Sequence, residues 1–372
     1  MRLQLSLILG LALAAIAPGQ AAVAEVKIGF ANPLSGPFSE TGERNRIAAE
    51  MAVADLNARG GVLGQQVTLV VADDRCGMKK AVAAAHALVE AEVAVVIGHM
   101  CSHSSLLAAG IYETADVLMI TPSSTHPRLT EEGRQNVFRL IGRDDEQGRL
   151  AGDFLADRFG HRRVGILHDG STYGEGLAEQ ARKQLHARGE TEVLYDRYRP
   201  AAADYTDLLR RLREARIEVL YIGGYGPDAG LILRSARESG DDLQMIGGDG
   251  LDMEGFWSVA GEFGERTIFS GRPDVRNRPA AAAVLERIRS RGLRPLATGL
   301  GTYAAVQVWA QAVTRAGTPE LAAVTRALRR GHFDTVLGRV AFDAKGDLES
   351  AAWQWQVWTD GAYMPLDQLA SH

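Results

Sequence analysis

Short apolar runs that alternate with segments of helical periodicity dominate this sequence. Runs such as VKIGFA (26–31), QVTLVVAD (66–73) and EVAVVIG (92–98) are rich in Val, Ile and Leu, and helix-like segments separate them. Unbroken apolar runs joined by helices indicate parallel strands that are buried on both faces. The pattern therefore predicts an α/β protein.

The same alternation continues along the chain, and its two halves resemble each other. Further predicted strands are VLMITP (117–122), RRVGILHD (162–169), EVLYDRY (192–198), EVLYIGG (218–224) and LQMIGGD (243–249). The stretch VVIGHMCSHSSLLAAG has the plan of VLYIGGYGPDAGLILRS, namely strand, glycine, polar turn and helix. We predict two similar, doubly wound parallel sheets. Ligands of such sheets bind beyond the carboxyl ends of the strands, so the turns are expected to line one cleft.

The C-terminal part departs from this pattern. FDTVLGRVAFDAKGDLE (333–349) predicts a strand pair with a turn at 344–346, and WQWQVW (353–358) alternates Trp and Gln. That alternation predicts a strand with one buried face. An exposed Trp ladder for stacking on sugars is the alternative to packing in the core or between the domains.

The N-terminus has the features of a secretory signal peptide. Arg2 precedes an apolar stretch, Leu3 to Ala17, and Ala22-Val23-Ala24 fits a cleavage site, so we predict that residues 1–24 are removed. A buried N-terminal helix is the alternative. No later run approaches the ~18 apolar residues of a membrane span, and export to the periplasm is the expectation.

Size and charge restrict the possible organisation and partners. The 372-residue chain is longer than one core comfortably holds, so two domains are expected. Its formal net charge is −5 and it has no basic block. An acidic chain of this kind argues against nucleic-acid partners and against an anionic membrane surface.

The chain has two cysteines, Cys76 and Cys101. In an oxidising compartment such a pair indicates one disulfide, and two free thiols are the alternative. His99, Cys101 and His103 alternate as metal ligands could. If Cys101 is disulfide-bonded, however, two histidines without a nearby carboxylate make a poor zinc site. We therefore predict no metal and leave His103 without a role.

Motifs of catalysis are missing from the sequence. It contains no G-x-S-x-G elbow, no H-E-x-x-H and no Walker loop. Gly224, Gly226 and Gly230 form a variant of the dinucleotide fingerprint, but outside the first βα unit where that fingerprint normally lies. We interpret these glycines as permitting a tight turn, and we predict neither an enzyme nor a cofactor.

Hydroxyl-bearing turns follow two neighbouring predicted strands. Ser102, Ser104 and Ser105 begin a helix, and Thr121-Pro122-Ser123-Ser124-Thr125 ends the next strand. Helix starts offer free N–H groups that bind anions, so the two turns suggest a carboxylate site. Ordinary helix capping is the alternative. Asp249, at the end of LQMIGGD, is a candidate partner for an ammonium group or, alternatively, a turn residue.

The chain resembles the leucine/isoleucine/valine-binding protein family, the periplasmic substrate-binding components of ABC transporters. The resemblance covers essentially the whole mature chain. It rests on LSGPFSETG (34–42), AVADLNARGGVLGQQ (52–66), DDRCGMKKAVAAA (73–85), VVIGHMCSHSS (95–105), LMITPSST (118–125), GRDDEQG (142–148), HDGSTYGEGLA (168–178), YIGGYGPDAG (221–230) and the segment 333–349.

This resemblance implies the periplasmic-binding-protein type I fold, in which two lobes are joined by a three-crossover hinge. Lobe one would comprise residues 25–143 and 272–351, and lobe two residues 144–271 and 352–372. The family also pairs the cysteines that match Cys76 and Cys101.

The resemblance implies a ligand-binding site as well. Ser102 and Thr125 would hold an α-carboxylate through their hydroxyls and through backbone N–H groups. The ammonium group would contact the Ser123 carbonyl, Thr125 and Asp249. Tyr173 and Tyr225 would close over the ligand.

Several positions depart from the family pattern. Asp249 replaces the usual Glu, Ser123 replaces a common Ala, and Thr41 and Thr298 stand at aromatic positions. Losing two rings removes much of an apolar pocket. We therefore expect a ligand with a bulkier or more polar side chain, or another small amphoteric molecule. Alternatively, Phe38 refills the space and the ligand is a branched-chain amino acid.

Together these features predict a periplasmic solute-binding protein of a branched-chain-amino-acid-type ABC transporter. Its partners would be an amino acid or analogue and the permease subunits, and it would act as a monomer. A sensor acting through a receptor or kinase is one alternative. A binder of an amide-like, urea-like or aromatic compound is another.

Overall fold

The structure is a computed structural model that describes residues 25–276, 278–295 and 297–371. The predicted signal peptide, residues 1–24, lies outside the described residues. Within these ranges, no helix is both long enough and apolar enough to cross a membrane.

Five parallel strands form the first sheet, in the order β2-β1-β3-β4-β5. They are β1 (Glu25–Asn32), β2 (Gln66–Asp73), β3 (Val95–Gly98), β4 (Leu118–Thr121) and β5 (Val137–Arg139). The first four confirm the predicted strands. Strand β5 was not predicted, because it is only three residues long and ends in a buried arginine.

The second sheet has seven strands in the order β14-β13-β10-β9-β8-β6-β7. They are β6 (Val164–His168), β7 (Leu194–Arg197), β8 (Val219–Gly223), β9 (Gln244–Gly247), β10 (Ile268–Gly271), β13 (Gln354–Thr359) and β14 (Ala362–Pro365). Strands β6 to β9 were predicted and β10 was not. Because β13 and β14 pair antiparallel, this sheet is mixed rather than wholly parallel.

The prediction that WQWQVW buries only one face was wrong. Gln356, Val357 and Trp358 are all buried in succession. The strand lies inside the sheet between β10 and β14, with apolar clusters on both faces. Trp355 stacks on Phe154, at 4.1 Å between ring centroids, so the tryptophans belong to packed layers rather than to an exposed ladder.

Helices cover both faces of each sheet, as expected for doubly wound sheets. The first sheet packs on α1, α10, α11 and α12 on one face and on α2, α3 and α4 on the other. The second packs on α7, α8 and α9 on one face and on α5 and α6 on the other. Their bounds are α1 (Ser39–Ala58), α2 (Met78–Glu90), α3 (Ser102–Thr114), α4 (Arg128–Glu131), α5 (Asp144–Phe159), α6 (Thr172–Ala187), α7 (Thr206–Glu214), α8 (Gly226–Glu238), α9 (Glu254–Ala260), α10 (Pro279–Arg289), α11 (Ala297–Ala316) and α12 (Leu321–Arg330).

The predicted strand pair near the C-terminus is present as β11 (His332–Thr335) and β12 (Gly338–Ala341). The hairpin turn lies at 336–337, however, whereas the turn at 344–346 is closed by an isolated bridge between Phe342 and Leu348. The predicted turn at 344–346 is therefore present, whereas the turn that joins β11 and β12 was not predicted.

Three segments connect the parts of the chain that carry the two sheets, and their described residues are 140–143, 272–276 with 278, and 349–353. Two of them touch, since a side chain at Gly142 would come within 2.7 Å of the Trp353 ring. The division into lobe one (25–143, 272–351) and lobe two (144–271, 352–372) stays a prediction.

Candidate functional site

A small cavity lies where the carboxyl ends of the two sets of parallel strands face each other. All eight residues of the predicted ligand site line it, together with four that were not predicted. The lining residues are Thr41, Met100, Ser102, Ser123, Thr125, Tyr173, Tyr225, Asp249, Gly250, Asp252, Met253 and Thr298. The turns after β1, β3, β4, β6, β8 and β9 thus converge on one place.

Hydroxyl groups on the first-sheet side divide into two sets. The first set ties the neighbouring turns together: Thr121 donates to the His99 carbonyl at 3.0 Å, and Ser105 and Ser124 lie 2.6 Å apart. Ser124 also lies 3.1 Å from the carbonyl oxygens of His99 and Met100. These hydroxyls are buried and serve the fold.

The second set of hydroxyls faces the cavity. Ser102 is the first residue of α3, where N–H groups are free. Its Oγ accepts only a long contact of 3.4 Å from the His126 N–H, so its own proton remains available. Among the described residues, Ser123 Oγ has no hydrogen-bond partner, whereas the Thr125 hydroxyl is close enough to Asp144 to oppose the burial-raised pKa of that carboxyl. Unpartnered buried donors beside a helix start can receive an anion.

A disulfide and two histidines hold the Ser102 turn in place. Cys76 and Cys101 are bonded, which confirms that prediction. His99 is fully buried, with Nδ1 at 2.6 Å from Asp74 and Nε2 at 3.0 Å from the Tyr112 hydroxyl. His103 Nε2 lies 2.6 Å from the Cys76 carbonyl oxygen and must donate to it. Both histidines are engaged in packing the turn, which explains His103.

Carboxylate and tyrosine groups form the opposite side of the cavity. The Tyr173 hydroxyl donates to Asp249 Oδ1 at 2.9 Å and accepts from the Gly250 N–H at 2.8 Å. Burial raises the pKa of Asp249 from its ordinary 3.8 to about 6, although hydrogen bonds from Tyr173 and Gln147 oppose the shift. A positive group in the cavity would favour the charged carboxylate.

Two further acids belong to this side, and neither was predicted as a site residue. Asp252 lines the cavity, and burial raises its pKa to about 7. Asp144 is fully buried at the start of α5, where burial and then the negative charge of Asp249 raise its pKa well above the ordinary value. The sequence signal was weak, since Asp252 lies three residues past Asp249 and Asp144 within GRDDEQG.

The two sides contact each other directly, so the cleft is closed. The rings of Phe38 and Tyr225 are 4.8 Å apart between centroids, and Met253 packs with Met100 and Cys101. Glu254 pairs with Arg294 at 2.6 Å and lies 3.9 Å from Arg44.

Phe38 packs on Tyr225, close to Met100 and Met253, and is not among the cavity-lining residues. Met100 and Met253 line the cavity together with Thr41 and Thr298. The centre of a water-sized sphere can occupy about 40 Å³ of the cavity. One water needs about 10–15 Å³ on this measure, so the closed cavity suits a small molecule.

The glycines at 224–230 have a packing role. A side chain on Gly226 or Gly230 would come within 2.9 and 2.7 Å of the backbone of Phe256 in α9. The close contact between α8 and α9 therefore accounts for two glycines of the dinucleotide-like pattern.

Known proteins match this chain over most of its length. A family model described as periplasmic binding protein matches residues 25–362. Leu/Ile/Val-binding protein homolog 1 of Brucella suis is 36% identical over 96% of this chain and 98% of its own. A Pseudomonas aeruginosa protein named leucine-, isoleucine-, valine-, threonine-, and alanine-binding protein is 35% identical, with 91% of each covered.

A solved structure agrees with these relatives. The crystal structure of a leucine-binding protein from Thermotoga maritima superposes with a TM-score of 0.83 at 26% identity, covering 91% of this chain and 97% of that one. The resemblance and the predicted fold class are thereby confirmed. The chain belongs to the periplasmic binding protein family, a family of solute-binding proteins, and has its type I fold.

Proposed function

We propose that this protein captures an amino acid in its cleft and delivers it to the permease of an ABC transporter. The observation that carries the proposal is the opposite chemistry at the two sides of one small cavity. Unpartnered hydroxyls and the start of α3 suit a carboxylate, whereas Asp249 suits an ammonium group. An amphoteric molecule satisfies both sides at once.

The names of the relatives support an amino acid as the ligand, since the Brucella suis and Pseudomonas aeruginosa proteins are named for leucine, isoleucine and valine. The wall that would face the ligand side chain carries Thr41 and Thr298 beside Met100 and Met253. This mixed wall suits small or hydroxyl-bearing side chains as well as aliphatic ones, and the Pseudomonas name also includes threonine and alanine.

The proposal extends to location and assembly. A cleaved signal peptide at residues 1–24 would export the chain to the periplasm, where it would act as a monomer that closes on its ligand and opens to the permease. Ligand binding would favour the closed state through contacts that need both sides of the cleft.

Calorimetric titration of the mature protein with free amino acids tests the proposal. We expect Leu, Ile, Val, Thr or Ala to bind, and the N-acetyl and methyl-ester derivatives of the best ligand to fail, because each lacks one of the two charges. If the N-acetyl derivative binds as tightly as its parent, Asp249 does not hold an ammonium group. An amide-like or aromatic compound then replaces the amino acid as the proposed ligand.

A further inference from the structure

A second cavity lies at the hinge, away from the residues that line the ligand cleft. Residues of all three connecting segments line it, within 140–142, 272–275 and 348–352, and the β11–β12 hairpin completes it. Its volume of about 430 Å³ falls in the range of small-molecule sites, which often lie between domains. We call it the hinge pocket.

The charges of the hinge pocket are mainly positive. Arg272, Arg278 and Arg339 line it, and Glu349 is the one acidic residue among the described residues of its lining. Arg339 is exposed, and its side chain forms no ion pair or hydrogen bond within the described parts of the chain, so its charge is open to a ligand. The remaining walls are largely apolar, with Leu140, Ile141, Pro273, Val275 and Leu348 among them.

We propose that the hinge pocket binds a small organic anion with an apolar portion, and that its occupancy favours closure of the ligand cleft. A carboxylate would meet Arg339 and Arg278, and an aliphatic or aromatic portion would cover the apolar walls.

Arg272 links the hinge pocket to the cleft. Its guanidinium donates to the Leu140 carbonyl oxygen at 2.6 Å and to that of Pro122, which directly precedes Ser123 of the ligand site. The positive charge of Arg272 also opposes the burial-raised pKa of Asp249 and Asp252. One side chain therefore touches the pocket, one connecting segment and the turn that holds the ligand.

The direction of coupling follows from the state in which the pocket is formed. The described structure has a closed cleft, and the pocket walls come from the segments that must change conformation when the cleft opens. An anion that fits this arrangement binds the closed state more tightly and shifts the population towards it. Binding to the pocket stands on its own, and only the coupling rests on the proposed function.

Titration of the mature protein with octanoate, without amino acid, tests the site. We expect saturable binding, and binding of the uncharged octanamide should be about tenfold weaker because it lacks the charge-assisted hydrogen bonds. Arg339→Glu should weaken octanoate by about tenfold or more. Arg289→Glu, a matched change at an exposed arginine of α10 outside the pocket, should leave the affinity unchanged.

Two more variants distinguish binding in the hinge pocket from binding in the ligand cleft. Ala351→Phe fills the pocket and should abolish octanoate binding, and Asp249→Ala should retain it because Asp249 lies in the cleft. Equal octanoate affinity in the wild type, Arg339→Glu and Ala351→Phe overturns the site. So does loss of binding in Asp249→Ala.

Coupling is measured by titrating the best amino acid with and without saturating octanoate. Its Kd should fall with octanoate, and the Kd of octanoate should fall by the same factor with amino acid, since coupling is reciprocal. Unchanged constants overturn the coupling. If no amino acid binds, the proposed function fails. The octanoate titration still tests whether the hinge pocket binds an anion.

Discussion

The two sides of the ligand cleft are built in opposite ways. On the first-sheet side, Ser102, Ser123 and Thr125 are neutral donors on turns that a disulfide and a network of buried hydroxyls hold in place. On the second-sheet side, Asp249 and Asp252 are acids that burial makes harder to ionise. The first side therefore offers neutral donors to a negative group, whereas the second offers acids to a positive one.

The buried acids of the second side lower the stability of the unliganded protein when they are charged. A buried carboxylate without a cation destabilises the folded state when it is charged. For an acid with a raised folded-state pKa, the unfolded chain releases its proton first. Stability of the unliganded protein therefore falls as pH rises from about 4 through the folded-state pKa of about 6 for Asp249.

The largest expected effect comes from removing the charge of Asp249. Asp249→Asn keeps the oxygen that accepts from Tyr173 but loses the ammonium partner, so affinity should fall by about 100-fold or more. The unliganded variant should be more stable at pH 7 by about 1–2 kcal/mol, measured by urea unfolding. An unliganded variant that is less stable than wild type would show that the buried Asp249 carboxylate does not destabilise the folded protein.

Removing the disulfide tests the rigidity of the first side. The Cys76→Ala/Cys101→Ala protein loses a cross-link between residues 25 positions apart, and its free energy of unfolding should fall by about 3 kcal/mol. Wild-type protein under a reducing agent is the control and should show the same loss. Unchanged stability would mean that the hydroxyl network alone holds the turn.

The pH dependence of binding separates the two sides further. Binding of an ammonium group requires the Asp249 carboxylate, so affinity should hold above about pH 6 and fall by up to about tenfold per unit below it. Calorimetry between about pH 8 and 5 measures this slope. Asp249→Asn should lack it, and any slope that remains there is assigned to Asp252, whose pKa is about 7. A flat wild-type profile contradicts an ammonium partner.

The smallest effect distinguishes two serines of one helical turn. Ser102→Ala should weaken binding by about tenfold with little change in stability, because its proton has no partner among the residues that the structure describes. Ser105→Ala removes the hydroxyl that lies 2.6 Å from the buried Ser124 hydroxyl and should lower the free energy of unfolding by about 1–2 kcal/mol while sparing affinity. The reverse result would exchange the roles of the two hydroxyl sets.

Much of this architecture could be predicted from apolar runs, because buried parallel strands have a strong sequence signal. Ser102, Thr125 and Asp249 were also within reach, since each directly follows such a strand or its turn. By contrast, Ser105 and Ser124 differ from Ser102 and Ser123 only in the direction of their hydroxyls, which tertiary packing decides.

The missed features depend on contacts distant in the sequence. Strand β13 is buried because β10 and β14 flank it, although Gln354 and Gln356 make it polar. Asp144 becomes part of the charged side only because α5 begins beneath the cleft near Asp249. Its charge environment is set by a residue more than 100 positions away, which no local pattern records.

The contact of Trp353 with Gly142 places a fluorescent side chain at the hinge. An indole ring wedged between two connecting segments cannot keep its surroundings when those segments rotate, and its Nε1 has no hydrogen-bond partner within the described chain. Opening and closing should therefore change the emission of an indole that the protein already carries. If the protein closes on its ligand as proposed, it therefore contains its own reporter of closure, placed at the hinge rather than at the ligand.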